Sequence, residues 1–422
     1  MLEISRIKEQ KNEIIELLKI RDFDAKEVIE DILNLDKEWR NSKSELDAVA
    51  AESNKIAKEI GMLFGQGKIE EANAAKTKTS DLKEKSKTLN DKVSDLAVQI
   101  TNRLYEIPNV PNKIVPFGKS DADNEVIFED APEVKLPKNA IPHWELAKKY
   151  DLIDWEMGVK VTGAGFPFYT GKGARLQRAL INFFLDEARD AGYKEIIPPF
   201  VVNEASGIGT GQLPDKEGQM YHCGVDDLYL IPTGEIPITN MFRDVIVKSQ
   251  DFPIQVTGYT PCFRREAGSY GKEVRGLNRL HQFDKVEIVR VEHPNNSYKA
   301  LDEMVAYVEG LLKKLELPYR KLKLCGGDLG FTSALTFDLE VYSAAQKMWL
   351  EVSSISNFEA FQANRLKLRF KNEDKKNVLA HTLNGSALAL PRILASILEN
   401  NQTEDGINIP KVLVPYTGFD KI

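Results

Sequence analysis

The sequence predicts an α+β protein with two parts. An antiparallel pair of long helices forms an N-terminal coiled-coil arm, and an antiparallel β-sheet domain flanked by helices follows it. Three observations support this prediction: a heptad repeat in the first hundred residues, a cluster of prolines after it, and strand-like runs mixed with helical stretches in the remainder. A length of 422 residues allows two or three domains of roughly 150 residues each.

The composition is that of a globular protein. The chain is 42% hydrophobic and 29% charged, with a formal net charge of -7, which excludes collagen-like, disordered and small disulfide-rich proteins. Cys223, Cys262 and Cys325 are scattered and form no CxxC pair, so we expect a reducing compartment and no zinc. No run reaches the ~20 apolar residues of a membrane span, and the N-terminus lacks the apolar core of a signal peptide. We therefore expect a soluble, cytoplasmic protein without a membrane partner.

The N-terminal arm is predicted from its periodicity. Apolar and small residues recur in alternating steps of four and three over 28–63 and again over 72–100, which is typical of a left-handed coiled coil. Asp24 and Glu27 predict a capping box at the start of the first helix, and Gly65 predicts its end. Because few residues join the two helices, they must fold back antiparallel. A hairpin so long and thin is expected to project as an arm.

The domain boundaries follow from the prolines. Three prolines between 108 and 116 lie among polar residues, and proline both removes a donor and favours extended geometry before it. We predict a helical arm at 1–107, a linker at 108–125 and a sheet domain at 126–422.

The second helix of the arm carries several lysines. Charge alone favours a solvated coiled-coil face. The alternative is contact with an RNA backbone, because lysines pair with phosphates without reading sequence. The lysines in question are Lys76, Lys78, Lys83, Lys85 and Lys87.

The sheet domain is predicted from strand-like runs that hairpin-type loops separate, without regular βαβ alternation. Helical stretches lie near 174–191, 298–315 and 388–400. The strand-like runs are 196–197, 228–231, 286–291, 336–341 and 349–352.

One hairpin in this domain has a cationic loop. Its flanks, around Cys262 and Ile288, alternate like strands, and its centre mixes glycines with basic residues. Arginine suits phosphate oxygens, so the loop could close on a polyanion. Glu266 and Glu287 lie among the arginines and could hold an amino group or a metal. The loop residues are Arg264, Arg265, Gly268, Gly271, Lys272, Arg275, Gly276 and Arg279.

Two later segments have complementary chemistry. The run 349–357 places Glu351 and several hydroxyls on a strand, as a Mg²⁺ site facing phosphates requires. The run 381–392 ends a strand and opens a helix, where Pro391 suits the first turn and Arg392 lies at the helix N-terminus.

Together these segments resemble the seryl-tRNA synthetases of bacterial type, a group of class II aminoacyl-tRNA synthetases, over essentially the whole chain. The matching motifs are TGE at 233–235, FRREAGSYGKEVRGLNRLHQFDKVE at 263–287, EVSS at 351–354 and HTLNGS at 381–386. Residues 193–202 resemble the first motif of the class, which implies a homodimer.

The resemblance implies an ATP site with Mg²⁺. Arg264 would clamp the α-phosphate and the serine carboxylate, Arg275 and Arg392 would hold the γ-phosphate, and Glu266 and Phe283 would contact adenine. Arg264, Glu351 and Arg392 would be the catalytic residues, and Glu351 and Ser354 would contact Mg²⁺ bound to ATP. The implied ATP-binding residues are Arg264, Arg265, Glu266, Arg275, Phe283, Glu351, Val352, Ser353, Ser354 and Arg392.

The resemblance also implies the second substrate and the reaction. L-serine and ATP would form seryl-adenylate, and the seryl group would pass to tRNA(Ser), and to tRNA(Sec) in organisms that have it. The arm and its lysines would bind the tRNA. The implied serine pocket is Thr233, Gly234, Glu235, Glu287 and Ser386.

Three alternatives stay open at this stage. The first is a class II synthetase for threonine or proline, which the acidic hydroxyl-binding residues and the arm disfavour. The second is a non-catalytic RNA-binding or coiled-coil relative, although Arg264, Glu351 and Arg392 are all present. The third is a carrier-protein ligase, for which the arm has little use. Ala387 and Pro391 depart from the glycine-rich form of the third motif.

Overall fold

The computed structural model describes residues 1–215, 218–266 and 275–422. The chain divides into two compact units, one made of Met1–Lys19 and Phe23–Pro108 and the other of Ile20–Asp22 and Asn109–Ile422. In the described ranges, no helix is both long and apolar enough to cross a membrane. The boundaries drawn from the sequence at residues 107 and 125 stay a prediction.

The first unit is helical. Its helices are α1 (Ile4–Glu9), α2 (Lys11–Leu18), α3 (Lys26–Gly65) and α4 (Ile69–Leu104). Ion pairs Lys85–Glu45 and Lys92–Glu38, each 2.7 Å, join α4 to α3. Partner numbers rise along one helix as they fall along the other, so the predicted antiparallel arm is confirmed.

The heptad positions form the seam between α3 and α4. Between residues 44 and 64, and between 69 and 99, the predicted positions are buried or half-buried and the residues between them are exposed. Val49, Ile56, Ala72, Leu89 and Leu96 are the buried apolar members of these stretches. A strict a/d repeat therefore supplies the apolar contact of this thin hairpin.

The two ends of α3 differ in how well the sequence predicts them. The helix ends at Gly65, and Gly67 has a φ of 76° that permits the Lys68 N–H to donate to the Leu63 carbonyl. The predicted capping box is wrong. Ala25 is the N-cap residue and has helical dihedrals, so the Asp24 carboxylate accepts instead from the Lys26 N–H, two residues on.

The second unit combines helices and strands. Its helices are α5 (His143–Lys149), α6 (Trp155–Val161), α7 (Gly171–Asp190), α8 (Glu204–Thr210), α9 (Glu235–Asn240), α10 (Ser297–Lys314), α11 (Phe361–Leu366), α12 (Leu390–Asn400) and α13 (Val414–Thr417). Its strands are β1 (Glu125–Asp130), β2 (Lys194–Glu195), β3 (Val201–Asn203), β4 (His222–Cys223), β5 (Leu228–Leu230), β6 (Ile246–Val247), β7 (Ile254–Phe263), β8 (Gln282–Glu292), β9 (Tyr319–Lys323), β10 (Leu335–Ser343), β11 (Met348–Asn357), β12 (Arg369–Lys371), β13 (Asn377–Leu379) and β14 (His381–Ala389).

The main sheet has the order β1-β9-β10-β11-β14-β8-β7-β2. Its strand pairs are antiparallel, apart from β2, which runs parallel to β7. The predicted α+β class with an antiparallel sheet is confirmed. The predicted run at 196–197 lies just beyond β2, where Ile196 donates one bond to Thr257 and Pro198 and Pro199 have no N–H to continue the ladder.

One face of this sheet is apolar and packs on helices. Val286 and Ile288 of β8 are fully buried on this face, with Phe184 of α7, Leu312 of α10 and Leu394 of α12 in the same core. Because successive side chains of a strand alternate between faces, the neighbouring residues of β8 must point to the opposite side. That opposite side is polar around Lys285 and Glu287, and it becomes apolar further along β8, where Val289 and Val291 are buried in separate clusters.

The irregular stretch before β1 is held in place by side-chain hydrogen bonds and by buried apolar side chains. Asn109 is buried, and its amide donates to the carbonyls of Thr332 and Phe358 at 2.9 and 2.8 Å. Val110 and Val115 are buried as well. The stretch is irregular because its prolines prevent a helix or a ladder.

Candidate active site

The polar face of the main sheet brings the predicted site residues together. On β8, Phe283, Lys285 and Glu287 share this face, and strand pairing places Ser386 of β14 directly opposite Glu287. The polar residues that share this face across β8, β14, β11 and β10 include Lys285, Glu287, Asn384, Ser386, Ser354, Ser356, Thr336 and Asp338. A sheet face covered by an apolar layer would not retain so many polar side chains, so this face is suited to a polar ligand.

An acidic recess lies at the centre of this face. Glu287 is buried and pairs with the Lys285 ammonium at 2.6 Å. The Thr233 hydroxyl donates to Glu287 at 3.3 Å and accepts from Lys285 at 2.9 Å. The Glu235 N–H donates to the same hydroxyl at 3.2 Å. The TGE loop is thus fastened to β8, and the recess can accept hydrogen bonds from a cationic, hydroxyl-bearing group.

Glu235 is the second carboxyl of the recess. The amides of Gln362 and Gln212 donate to its two oxygens at 2.6 and 3.1 Å. Burial, followed by the negative charge of Glu287, raises the pKa of Glu235 to about 7, against the lowering effect of its amide donors and of Lys285. Burial also raises the pKa of Glu287. Lys285 is the cation that pairs directly with this recess of two carboxyls, so the recess favours a ligand group that carries a positive charge.

Arg264 lies next to the recess. Its Nε donates to the Pro232 carbonyl at 3.3 Å, its guanidinium lies 5.2 Å from the centroid of the Phe283 ring, and the residue is exposed. Its charge is close enough to Glu287 to lower the pKa of that carboxyl. A guanidinium beside an acidic recess matches the separated charges of an amino acid zwitterion, with the Phe283 ring as a stacking surface.

Arg392 marks the other end of the polar face, in the first turn of α12. Its Nη1 donates to the Glu351 carbonyl at 2.7 Å, and its Nε donates to the Asn278 carbonyl at 3.0 Å. The predicted place of Pro391 in the first helical turn is confirmed. Arg275 is exposed, and within the described ranges no acidic side chain lies in ion-pair range of it. The Arg275 guanidinium is therefore available to an anion, whereas Arg392 Nη1 also lies 3.8 Å from a carboxylate oxygen of Glu351 and would share its charge with that group.

A β-bulge turns Glu351 towards the same face. The pairing of β10 with β11 shifts between Leu339 and Glu340, which leaves Val352 without a partner on β10. Because a bulge adds one residue, it changes the side to which the following residue points. Glu351 therefore shares the polar face with Ser354.

The remaining predicted residues are placed differently. Val352 belongs to the hydrophobic core, and the Ser353 hydroxyl is buried and donates to the Ser386 carbonyl at 2.6 Å. Their side chains do not reach the polar face. Glu266 pairs with Arg279, and Arg265 is exposed. Gly268, Gly271 and Lys272, which the sequence placed in the cationic loop, lie outside the described residues.

Several residues of the site were not predicted. Lys285 had a signal, because it lies two positions before Glu287 on a strand and so shares its face. Gln212 and Gln362 had none, since Gln212 reaches Glu235 from the loop after α8 and Gln362 reaches it from α11. Asp338 is buried next to Glu351, and burial together with that charge raises the pKa of Asp338 well above its usual range.

The family model "Seryl-tRNA synthetase N-terminal domain" matches residues 1–111, and "tRNA synthetase class II core domain (G, H, P, S and T)" matches residues 221–401. A Serine–tRNA ligase from Salinibacter ruber is 49% identical over 100% of this chain and 99% of its own length.

Two solved structures are similar over the full chain. Seryl-tRNA synthetase from Pyrococcus horikoshii complexed with ATP is 34% identical with a TM-score of 0.91, covering 100% of this chain and 99% of its own. Cytoplasmic Serine-tRNA ligase from Naegleria fowleri in complex with AMP is 28% identical with a TM-score of 0.86, covering 100% and 98%. With its helical arm, its antiparallel sheet and its charged polar face, the chain belongs to the seryl-tRNA synthetases, the class II serine–tRNA ligases.

Proposed function

We propose that this chain activates L-serine with ATP and transfers it to tRNA(Ser). In the first step a serine carboxylate oxygen attacks the α-phosphorus, the bond to the bridging α–β oxygen breaks, and pyrophosphate leaves. In the second step a hydroxyl of the terminal ribose of the tRNA attacks the seryl carbonyl, and AMP leaves. The observation that supports this most is the acidic recess of Glu235 and Glu287 beside the exposed Arg264.

The recess fits serine in particular. The two carboxyls can accept from the ammonium and the hydroxyl, and Thr233 and Ser386 add hydroxyls within the same small space. An analogue without the hydroxyl would leave a buried acceptor unpaired, which costs about 1–3 kcal/mol. Discrimination against such analogues is strong, because a site built to bind a hydroxyl rejects a substrate that lacks one.

ATP would lie across the arginines. Arg264 would contact the α-phosphate, Arg275 and Arg392 the γ-phosphate, and Glu266 and Phe283 the adenine. A similar protein from Pyrococcus horikoshii was crystallised with ATP. Attack of a carboxylate on phosphorus requires alignment and charge neutralisation rather than a general base, and fixed guanidiniums provide both.

The residues present also fit Mg²⁺ bound to ATP. Glu351 and Ser354 would contact it, with Asp338 and Glu340 beside them, and these oxygen ligands are the kind that Mg²⁺ prefers. One oxygen of the buried Asp338 carboxyl has no hydrogen-bond partner within the part of the chain that the structure describes. The ion would neutralise phosphate charge when bound.

The helical arm, residues 1–107, would bind tRNA(Ser), and tRNA(Sec) where it exists. Lys78, Lys83 and Lys87 are exposed, and no ion pair involves them within the described arm. Lys85 pairs with Glu45, and the Lys76 ammonium lies over the Phe64 ring at 4.8 Å. The three lysines without an acidic partner are the better candidates for phosphate contacts.

We further propose a cytoplasmic homodimer whose catalytic domain comprises residues 126–422 after a linker at 108–125. The region that resembles the first class motif, 193–202, exposes Ile197 to 84%. Val201 of the same region is 39% exposed, so the region presents more than one exposed aliphatic residue, which suits an interface.

The decisive experiment is pyrophosphate exchange with each of the twenty amino acids. Serine alone should drive the exchange of label between pyrophosphate and ATP. Exchange with threonine or proline but not serine would support a sister synthetase. An absence of exchange with all twenty would support a non-catalytic relative.

A further inference from the structure

We propose that His143 and Glu399 are positioning residues that hold the segment 275–280 in place for ATP. This inference rests on the proposed function, in which Arg275 and Arg392 contact the γ-phosphate. Both residues are fully buried, and neither would touch a substrate. They act through a network of hydrogen bonds that ends at the ATP site.

The network begins at the Glu399 carboxylate on α12. One oxygen accepts from the His143 N–H at 2.8 Å, from His143 Nδ1 at 2.7 Å and from the Gln346 amide at 2.9 Å. The other oxygen accepts from the Ser343 hydroxyl. A buried carboxylate without a cation is costly unless several donors satisfy it, so four donors indicate that this charge has a role in organising the structure.

The His143 ring is the first connection to the segment. Its Nε2 accepts from the Leu277 N–H at 2.8 Å, so the ring proton must lie on Nδ1, which faces Glu399. The ring also packs against Gly276, where an added Cβ would lie 2.2 Å from Nε2. The main chain directly after Arg275 therefore rests on an imidazole whose tautomer Glu399 sets.

A second connection runs in parallel. The Gln346 oxygen accepts from the Asn278 amide at 2.8 Å, and the Asn278 carbonyl accepts from Arg392 Nε at 3.0 Å. Arg392 and Glu399 are seven residues apart on α12, which is about two turns, so they share one side of the helix. Arg392 at one end of this side binds the segment 275–280 directly, and Glu399 at the other end binds it through His143 and Gln346.

The serine recess shares none of these bonds. It is built from the TGE loop, β8 and β14, with Gln212 and Gln362 as additional donors. Loss of the network should therefore weaken ATP binding and leave serine binding unchanged. A general loss of folding would affect both substrates.

The test is the KM for ATP and the KM for serine in pyrophosphate exchange, together with the melting temperature. His143→Ala should raise the KM for ATP about tenfold, the effect of roughly one lost hydrogen bond, and change the KM for serine less than twofold. His143→Gln keeps an acceptor for Leu277 and should restore most of the ATP affinity. His293→Ala, directly after β8, is the control that removes a histidine outside the network, and it should leave both KM values unchanged.

Gln346→Ala covers the case in which His143→Ala does not fold, because Gln346 is only half-buried. It breaks the second connection and removes one of the four donors to Glu399, while the bond from Leu277 to His143 stays in place. It should raise the KM for ATP selectively by about fivefold. Equal increases in both KM values, or an unchanged KM for ATP in both alanine variants, would overturn the proposal. If the unmodified chain itself showed no serine-dependent exchange, the proposed function would be wrong instead.

Discussion

Lowering the pH from 8 to 6 should weaken serine binding about tenfold, because Glu235 must be ionised to accept the serine ammonium. Burial and the neighbouring Glu287 raise the pKa of Glu235 to about 7 in the empty pocket. Below that pKa the carboxyl is protonated, and binding must first release a proton. The ionised fraction falls from about nine tenths at pH 8 to about one tenth at pH 6, which gives the tenfold loss.

The assay is isothermal titration calorimetry of serine binding. ATP is left out, so that no phosphate group changes its protonation between pH 6 and 8. Repeating the titration in buffers of different ionisation heat measures the protons released, and this number should rise as the pH falls. Glu235→Gln cannot ionise at this position, so its weaker affinity should vary much less between pH 6 and 8. A serine Kd in the unmodified chain that changed less than twofold over this range would refute the reasoning.

Three further predictions concern the other parts of the site. Arg264→Ala should lower serine-dependent exchange about a hundredfold or more without changing the elution volume in gel filtration, and undiminished exchange would contradict the role of this arginine. Lys285→Met leaves the buried Glu287 without its cation and should cost about 3–5 kcal/mol in urea unfolding. Adding Glu287→Gln should recover most of that loss, and no recovery would mean that Lys285 acts by packing alone. Deleting residues 27–103 should spare exchange and abolish most tRNA charging, so normal charging by the truncated protein would refute the arm's role.

Much of the fold could be predicted because its signals are local. The heptad repeat has the period of a coiled coil, and between 44 and 64 and between 69 and 99 the positions it marks are those shielded between α3 and α4. The alternation of β8 likewise predicted a strand, with Val286 and Ile288 in the core. The helix start at Asp24 was wrong because a capping pattern does not determine whether the next residue is already helical.

The unpredicted parts of the site depend on tertiary contacts. The Gln362 amide reaches Glu235 across 127 positions of the chain, and no local pattern marks such a donor. The bulge at Val352 decides which residues of EVSS face the site, and it follows from the pairing of β11 with β10. The His143–Glu399 pair joins positions 256 apart and had no motif at all.

A crystal structure with serine and an unreactive ATP analogue tests the central claim most directly. The claim predicts the serine ammonium between Glu235 and Glu287, the carboxylate and α-phosphate at Arg264, and the γ-phosphate at Arg275 and Arg392. A recess empty of serine at saturating concentration, or a nucleotide bound away from these guanidiniums, would contradict it.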